Sequence, residues 1–162
     1  MPEIVIVTGP INSGKSTYLA ELIARERESE RVVSGVIAHG VFAGDRKIGY
    51  DVEDIAGGTI RPLARAHSGP RPHREVGRFS FSVDALEFAR RALLGFAPGG
   101  VVFVDEIGPL ELSGDGYAPC LPALFESSID KLYIVVRESL VDRVVERFLP
   151  GQPVTTVRVH GR

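Results

Sequence analysis

Near the amino end, Gly9-Pro10-Ile11-Asn12-Ser13-Gly14-Lys15-Ser16 fits the spacing G-x-x-x-x-G-K-[ST], and Thr17 follows it. Each residue type there suits phosphate binding. Glycines at 9 and 14 let backbone N–H groups approach phosphate oxygens where a Cβ would intrude. Lys15 brings a compact cation to β- and γ-phosphates, and the Ser16 hydroxyl is placed to ligate Mg²⁺. Such a loop needs a strand before it and a helix after it, because the helix amino end adds free N–H donors and a positive dipole end. Both are legible. Ile4-Val5-Ile6-Val7 is the β-branched run of a buried parallel strand, and Leu19, Leu22 and Ile23 recur at helical spacing from about Lys15.

A second chemical centre ends the run Val101-Val102-Phe103-Val104-Asp105-Glu106. An acid at the carboxyl end of a buried strand beside a P-loop strand is the Walker B arrangement, with Asp105 holding Mg²⁺ directly or through its water. Glu106 is placed to orient or deprotonate an attacking water; the plainer alternative is that it faces solvent. Lys131-Leu132-Tyr133-Ile134-Val135-Val136 reads as another buried strand, whose end would bring Arg137 to the same rim. There Arg137 meets a γ-phosphate or pairs with a neighbouring acid, and the sequence leaves both open.

The chain has 162 residues, 44% hydrophobic and 25% charged, with formal net charge −2. That length suits one domain spanning residues 1–162. The charge balance gives no reason to expect a nucleic-acid partner. Cys120 is the one cysteine, so no disulfide forms within the chain and a reducing compartment is expected. No basic, long-apolar leader and no membrane-length apolar run is present, so a cytoplasmic location away from membranes is expected. The histidines at 39, 67, 73 and 160 lack metal-ligand spacing.

Between the two centres, Val32-Val33 and Val36-Ile37 read as a strand interrupted near Gly35. Gly35–Ile55 then reads as an antiparallel ribbon at the sheet edge, closed by Gly57-Gly58. Ile60 to Arg78 holds Arg61, Arg65, Arg71, Arg74 and Arg78 with three prolines, and reads as a solvated surface loop. The alternative is a loop folding over a triphosphate. Helices are expected around Leu86–Leu93, Leu121–Phe125 and Leu140–Phe148, with a last strand over Val154–Val159. Ile107–Leu112 reads as a loop. The expected fold is three-layer α/β, a mostly parallel sheet with helices on both faces and an antiparallel edge ribbon.

Thr8–Thr17 and Asp105-Glu106-Ile107-Gly108-Pro109-Leu110-Glu111-Leu112, with Arg46-Lys47-Ile48-Gly49-Tyr50 between them, resemble the THEP1-type nucleoside-triphosphatases. These are small P-loop proteins of the RecA-like branch. The resemblance runs from residue 4 to about residue 149. It implies Mg²⁺-dependent hydrolysis of ATP, GTP and other nucleoside triphosphates to diphosphate and phosphate. It implies phosphate binding by Gly9–Thr17 and a second nucleotide-site segment made of Val101, Val102, Phe103, Val104, Asp105, Glu106, Ile107 and Gly108. Glu106 matches the presumed catalytic acid, and Arg137 the arginine after the fourth core strand. Asn12-Ser13 departs from the loop common in the family, and Val159-His160-Gly161-Arg162 departs from its usual ending. A regulatory GTPase reading has D-x-x-G at Asp105–Gly108 but no Asn-Lys-x-Asp. A nucleotide-gated adaptor or small P-loop kinase using ATP is the alternative; a protein partner is not legible.

Overall fold

The structure is a computed structural model describing residues 1–10, 14–66, 73–76 and 79–160, with 73–76 as backbone only. Ile11, Asn12 and Ser13 of the expected phosphate loop lie outside the described residues, as do His67, Arg71, Arg78 and the Gly161-Arg162 end. The order of elements is β1 (Glu3–Thr8), α1 (Lys15–Glu28), β2 (Val33–Ala43), β3 (Arg46–Asp54), β4 (Ile60–Ala66), β5 (His73–Val76), β6 (Phe79–Ser82), α2 (Val83–Leu94), β7 (Val101–Ile107), α3 (Pro109–Leu112), α4 (Leu121–Phe125), β8 (Lys131–Val136), α5 (Val141–Phe148) and β9 (Thr155–Arg158).

The strands form one sheet in the order β5-β6-β4-β3-β2-β7-β8-β1-β9. From β2 through β9 all pairings are parallel. From β2 outward through β3, β4, β6 and β5 they are antiparallel. β2 belongs to both halves, pairing Val33–Val36 with β7 and Val36–Ala43 with β3.

Helices cover both faces. Leu19, Leu22 and Ile23 of α1 pack on Val5, Val7, Val33, Ile37, Phe103 and Tyr133. The Phe103 and Tyr133 rings stack at 4.7 Å between centroids. On the other face, α2, α4 and α5 bring Leu86, Leu93, Leu124 and Val144 onto Ile4, Ile6, Val102, Val104 and Ile134. The central parallel strands carry consecutive apolar residues (Ile4–Val7, Val101–Val104, Leu132–Val136) because both faces are covered. α2 starts where Ser82 Oγ accepts the Ala85 N–H at 3.1 Å, a side-chain cap before an apolar stripe.

Three expectations need correction. β2 is continuous through Gly35, whose φ of 107° carries the chain past the Phe103 carbonyl; a Cβ there would collide with that oxygen. The stretch read as a solvated loop contains β4 and β5, so the antiparallel half is four strands wide beyond β2. Two of its arginines, Arg61 and Arg65, serve the sheet. Arg65 donates to the Tyr50 carbonyl at 3.1 Å and pairs with Asp51 at 2.8 Å, and the Arg61 guanidinium lies 4.3 Å from the Phe88 ring centroid. Pro62 sits at the irregular register between β3 and β4, where no ladder donor is needed. Finally, Pro109–Leu112 is a helical turn rather than loop.

Candidate functional site

The sheet order sets the site. The carboxyl ends of β1, β8 and β7 are neighbours on one rim, so Gly9 and Pro10 after β1, Arg137 after β8, and Asp105 and Glu106 on β7 meet there. Gly14, at φ 87°, caps the amino end of α1, a backbone conformation that residues with a side chain rarely adopt. It hands the chain directly to Lys15 and Ser16. Lys15 Nζ donates to the Gly9 carbonyl at 3.0 Å and the Pro10 carbonyl at 2.9 Å, which holds the ammonium over the loop. Burial lowers its pKa, and the carboxylates of Glu106 and Asp105 pull it back up.

Asp105 is buried, with 8% exposure, and its Oδ2 accepts the Ala38 N–H at 3.1 Å. Desolvation, then the like charge of Glu106, pushes its pKa up to about 7. One residue later β7 bulges: Asp105 pairs with Val135 and Ile107 with Val136, leaving Glu106 out of register. Glu106 is partly buried. Desolvation raises its pKa, opposed by Arg137, Lys15 and Lys47. Arg137 Nη2 stands 3.8 Å from Glu106 Oε1. The acid beside Arg137 is thus the candidate water-orienting acid itself.

Lys15, Ser16, Asp105, Glu106, Gly108 and Arg137 all line one open cleft of about 1,120 Å³ with Gly14. Gly9 and Pro10 touch it through Lys15, and Thr17 continues α1. Val101, Val102, Phe103, Val104 and Ile107 are fully buried in β7. They carry the acids without reaching the cleft. Ser16 and Asp105 offer a hydroxyl and a carboxylate, all-oxygen donors of the kind a hard dication takes beside phosphate oxygens. Among the described residues no group of three or more His, Cys, Asp or Glu forms a metal cage, and Mg²⁺ bound through phosphates needs none.

No role for Glu111, Lys47, Tyr50 or Tyr117 was legible in the sequence, yet all four line the same cleft. Glu111, 5% exposed, accepts the Gly108 N–H at 2.8 Å and the Tyr117 N–H at 3.0 Å, tying the segment after β7 into a fixed turn. Burial raises its pKa to about 7. Its place in the Asp105–Leu112 segment was the available signal. Lys47 and Tyr50 come from the antiparallel half, where only strand pairing, invisible in local sequence, brings them near β7.

A family model described as NTPase matches residues 4–162. A curated relative, the nucleoside-triphosphatase THEP1 of Methanopyrus kandleri, is 30% identical over 148 residues, covering 90% of this chain and 80% of that protein. The human cancer-related nucleoside-triphosphatase is 35% identical over 121 residues, covering 69% of this chain and 63% of that protein. Among solved structures, the solution structure of a human cancer-related nucleoside triphosphatase superposes with TM-score 0.71 at 26% identity, covering 96% of this chain and 88% of that one. The crystal structure of THEP1 from Aquifex aeolicus, at 18% identity, shares the fold with TM-score 0.65 over 97% of this chain and 90% of its own. The chain belongs to the NTPase family.

Proposed function

We propose that this enzyme hydrolyses nucleoside triphosphates, ATP and GTP among them, to the diphosphate and inorganic phosphate, with Mg²⁺, in the cytoplasm, as one domain spanning residues 1–162. The observation that carries the reading is the convergence of Lys15, Ser16, Asp105, Glu106 and Arg137 on one cleft at the sheet's carboxyl rim. The names of the relatives support the triphosphatase activity.

In this reading the Gly9–Thr17 segment cradles the phosphates, and Lys15 gives its ammonium to the β- and γ-phosphoryl oxygens. Ser16 and Asp105 would hold Mg²⁺, which when bound neutralises charge on those oxygens. Glu106 accepts a hydrogen bond from the attacking water and turns its lone pair toward the γ-phosphorus. Its raised proton affinity makes it a better base than a solvated carboxylate. Arg137, beside Glu106, supplies positive charge where the transferring phosphoryl group develops negative charge. Water then takes the γ-phosphoryl group and the diphosphate leaves.

Phosphate release measured with several triphosphates, with and without a chelator, tests this. Hydrolysis is expected with Mg²⁺ and is lost in excess chelator. Lys15→Ala is expected to lose both nucleotide affinity and turnover. Parent-like activity in that variant, or hydrolysis undiminished by chelator, contradicts the reading.

A further inference from the structure

The cleft is larger than the phosphate site. It continues from Asp105 across β2, β3 and β4 to β6, lined by Tyr50 of β3 and Phe79 and Phe81 of β6 with Leu63 and Leu86. Tyr50 and Phe79 pack edge to face, with centroids 5.5 Å apart. Lys47 Nζ sits between this aromatic lobe and the acids: 4.7 Å from the Tyr50 ring centroid, 3.3 Å from the Tyr50 hydroxyl, and close enough to favour ionised Glu106. Tyr117 also lines the cleft. It is 3% exposed and its hydroxyl has no hydrogen-bond partner, a costly state for a buried donor. Arg90, donating to the Gly116 carbonyl at 2.6 Å, and Glu111 hold Tyr117 in place.

Two facts say which side of a bound triphosphate this lobe occupies. In a P-loop the backbone cradles the α- and β-phosphates while the lysine and the metal-binding groups meet the γ end. The γ end therefore points from β1 toward β7, and the lobe on β3 and β6 lies beyond it. With strands about 4.8 Å apart, Tyr50 is roughly 10 Å and Phe79 roughly 19 Å across the sheet from β7. Water attack requires no aromatic chamber of that reach.

The geometry points to a second substrate there: a nucleoside, its base against Tyr50 and Phe79, its sugar hydroxyl turned to Glu106 as a phosphoryl acceptor. This rests on the nucleotide site proposed above. The acceptor oxygen bonds to the γ-phosphorus as the bond from that phosphorus to the β–γ bridging oxygen breaks. The diphosphate leaves with that electron pair, Glu106 takes the hydroxyl proton, and Lys47 offsets charge on the transferred group. The nucleoside monophosphate and the diphosphate are the products.

The test incubates the protein with γ-labelled ATP, Mg²⁺ and, in turn, adenosine, guanosine, cytidine and uridine, and follows where the label goes. Label is expected in a nucleoside monophosphate with at least one of them. Tyr50→Leu and Phe79→Leu should cut that transfer by about tenfold, the worth of a stacking partner. Phosphate release to water should stay within about twofold in Phe79→Leu, which sits on β6 across the sheet from the acids. Label found only in phosphate overturns the proposal, as does transfer that both folded variants leave intact. A roughly tenfold weaker affinity for an unhydrolysable ATP analogue in Tyr50→Leu also overturns it, because the lobe would then hold the triphosphate's own base. Label that never leaves ATP defeats the underlying triphosphate reading and this one with it.

Discussion

Arg137 Nη2 lies 3.8 Å from Glu106 Oε1, and both side chains remain partly exposed at the cleft. A pair at that distance, partly in water, contributes little to stability. Its consequence is for chemistry. It holds a guanidinium beside the acid proposed to orient the attacking water.

Arg137→Ala should therefore slow turnover more than it weakens ground-state nucleotide binding, because the guanidinium meets charge that grows in the transition state. A loss of roughly tenfold or more in kcat, with Kd for an unhydrolysable analogue within a few-fold, is expected. Single-turnover phosphate release beside equilibrium binding checks it. A parent-like rate in the folded variant leaves Arg137 with the ion pair alone.

Gly35 is the point where β2 passes against β7, paired with Phe103. Any side chain there would meet the Phe103 carbonyl, which is fixed in the middle of the sheet, and would have to adopt a φ of 107°. Gly35→Ala should cost roughly 3 kcal/mol or more. Denaturant titration measures it. A loss under about 1 kcal/mol would mean that the sheet yields locally.

Glu111 links stability to pH. Its native pKa lies near 7, raised by burial from the usual carboxylate value of 4.5. The native state thus binds more protons than the unfolded chain between those values. The stabilisation is fully present below about pH 4.5 and is lost as pH rises through about 7, on the order of 3 kcal/mol at most. Glu111→Gln does not titrate. The stability of the parent relative to this variant should therefore fall from pH 4.5 to pH 7.5. A difference that stays flat across that window contradicts the buried-acid account.

How much was legible depended on whether the signal was local. Gly9 to Ser16 and Val101 to Glu106 are contiguous and each adjoins or includes a strand, so β1, β7 and the helix after the loop could be read from residue type and spacing. β4 was hidden because arginine and proline at that density read as solvated loop. In the sheet, Arg65 finds Asp51, Arg61 finds the Phe88 ring, and Pro62 falls at a register shift, all partners set by pairing between distant strands. The aromatic lobe was hidden for the same reason. Tyr50, Phe79 and Tyr117 share no local pattern, and strand order and packing bring them to one cleft. Glu106 was visible, but the bulge that takes it out of register was not.

The most direct test of hydrolysis with Glu106 as the water-orienting acid is Glu106→Gln, with Mg-ATP affinity and phosphate release measured side by side. Glutamine keeps the shape but loses the charge and most of the basicity. Lys15, Ser16 and Asp105 keep their places, so affinity should stay within a few-fold of the parent, while turnover drops by roughly a hundredfold or more. Phosphate release within a few-fold of the parent would contradict the assignment and favour nucleotide binding, rather than hydrolysis, as the site's purpose.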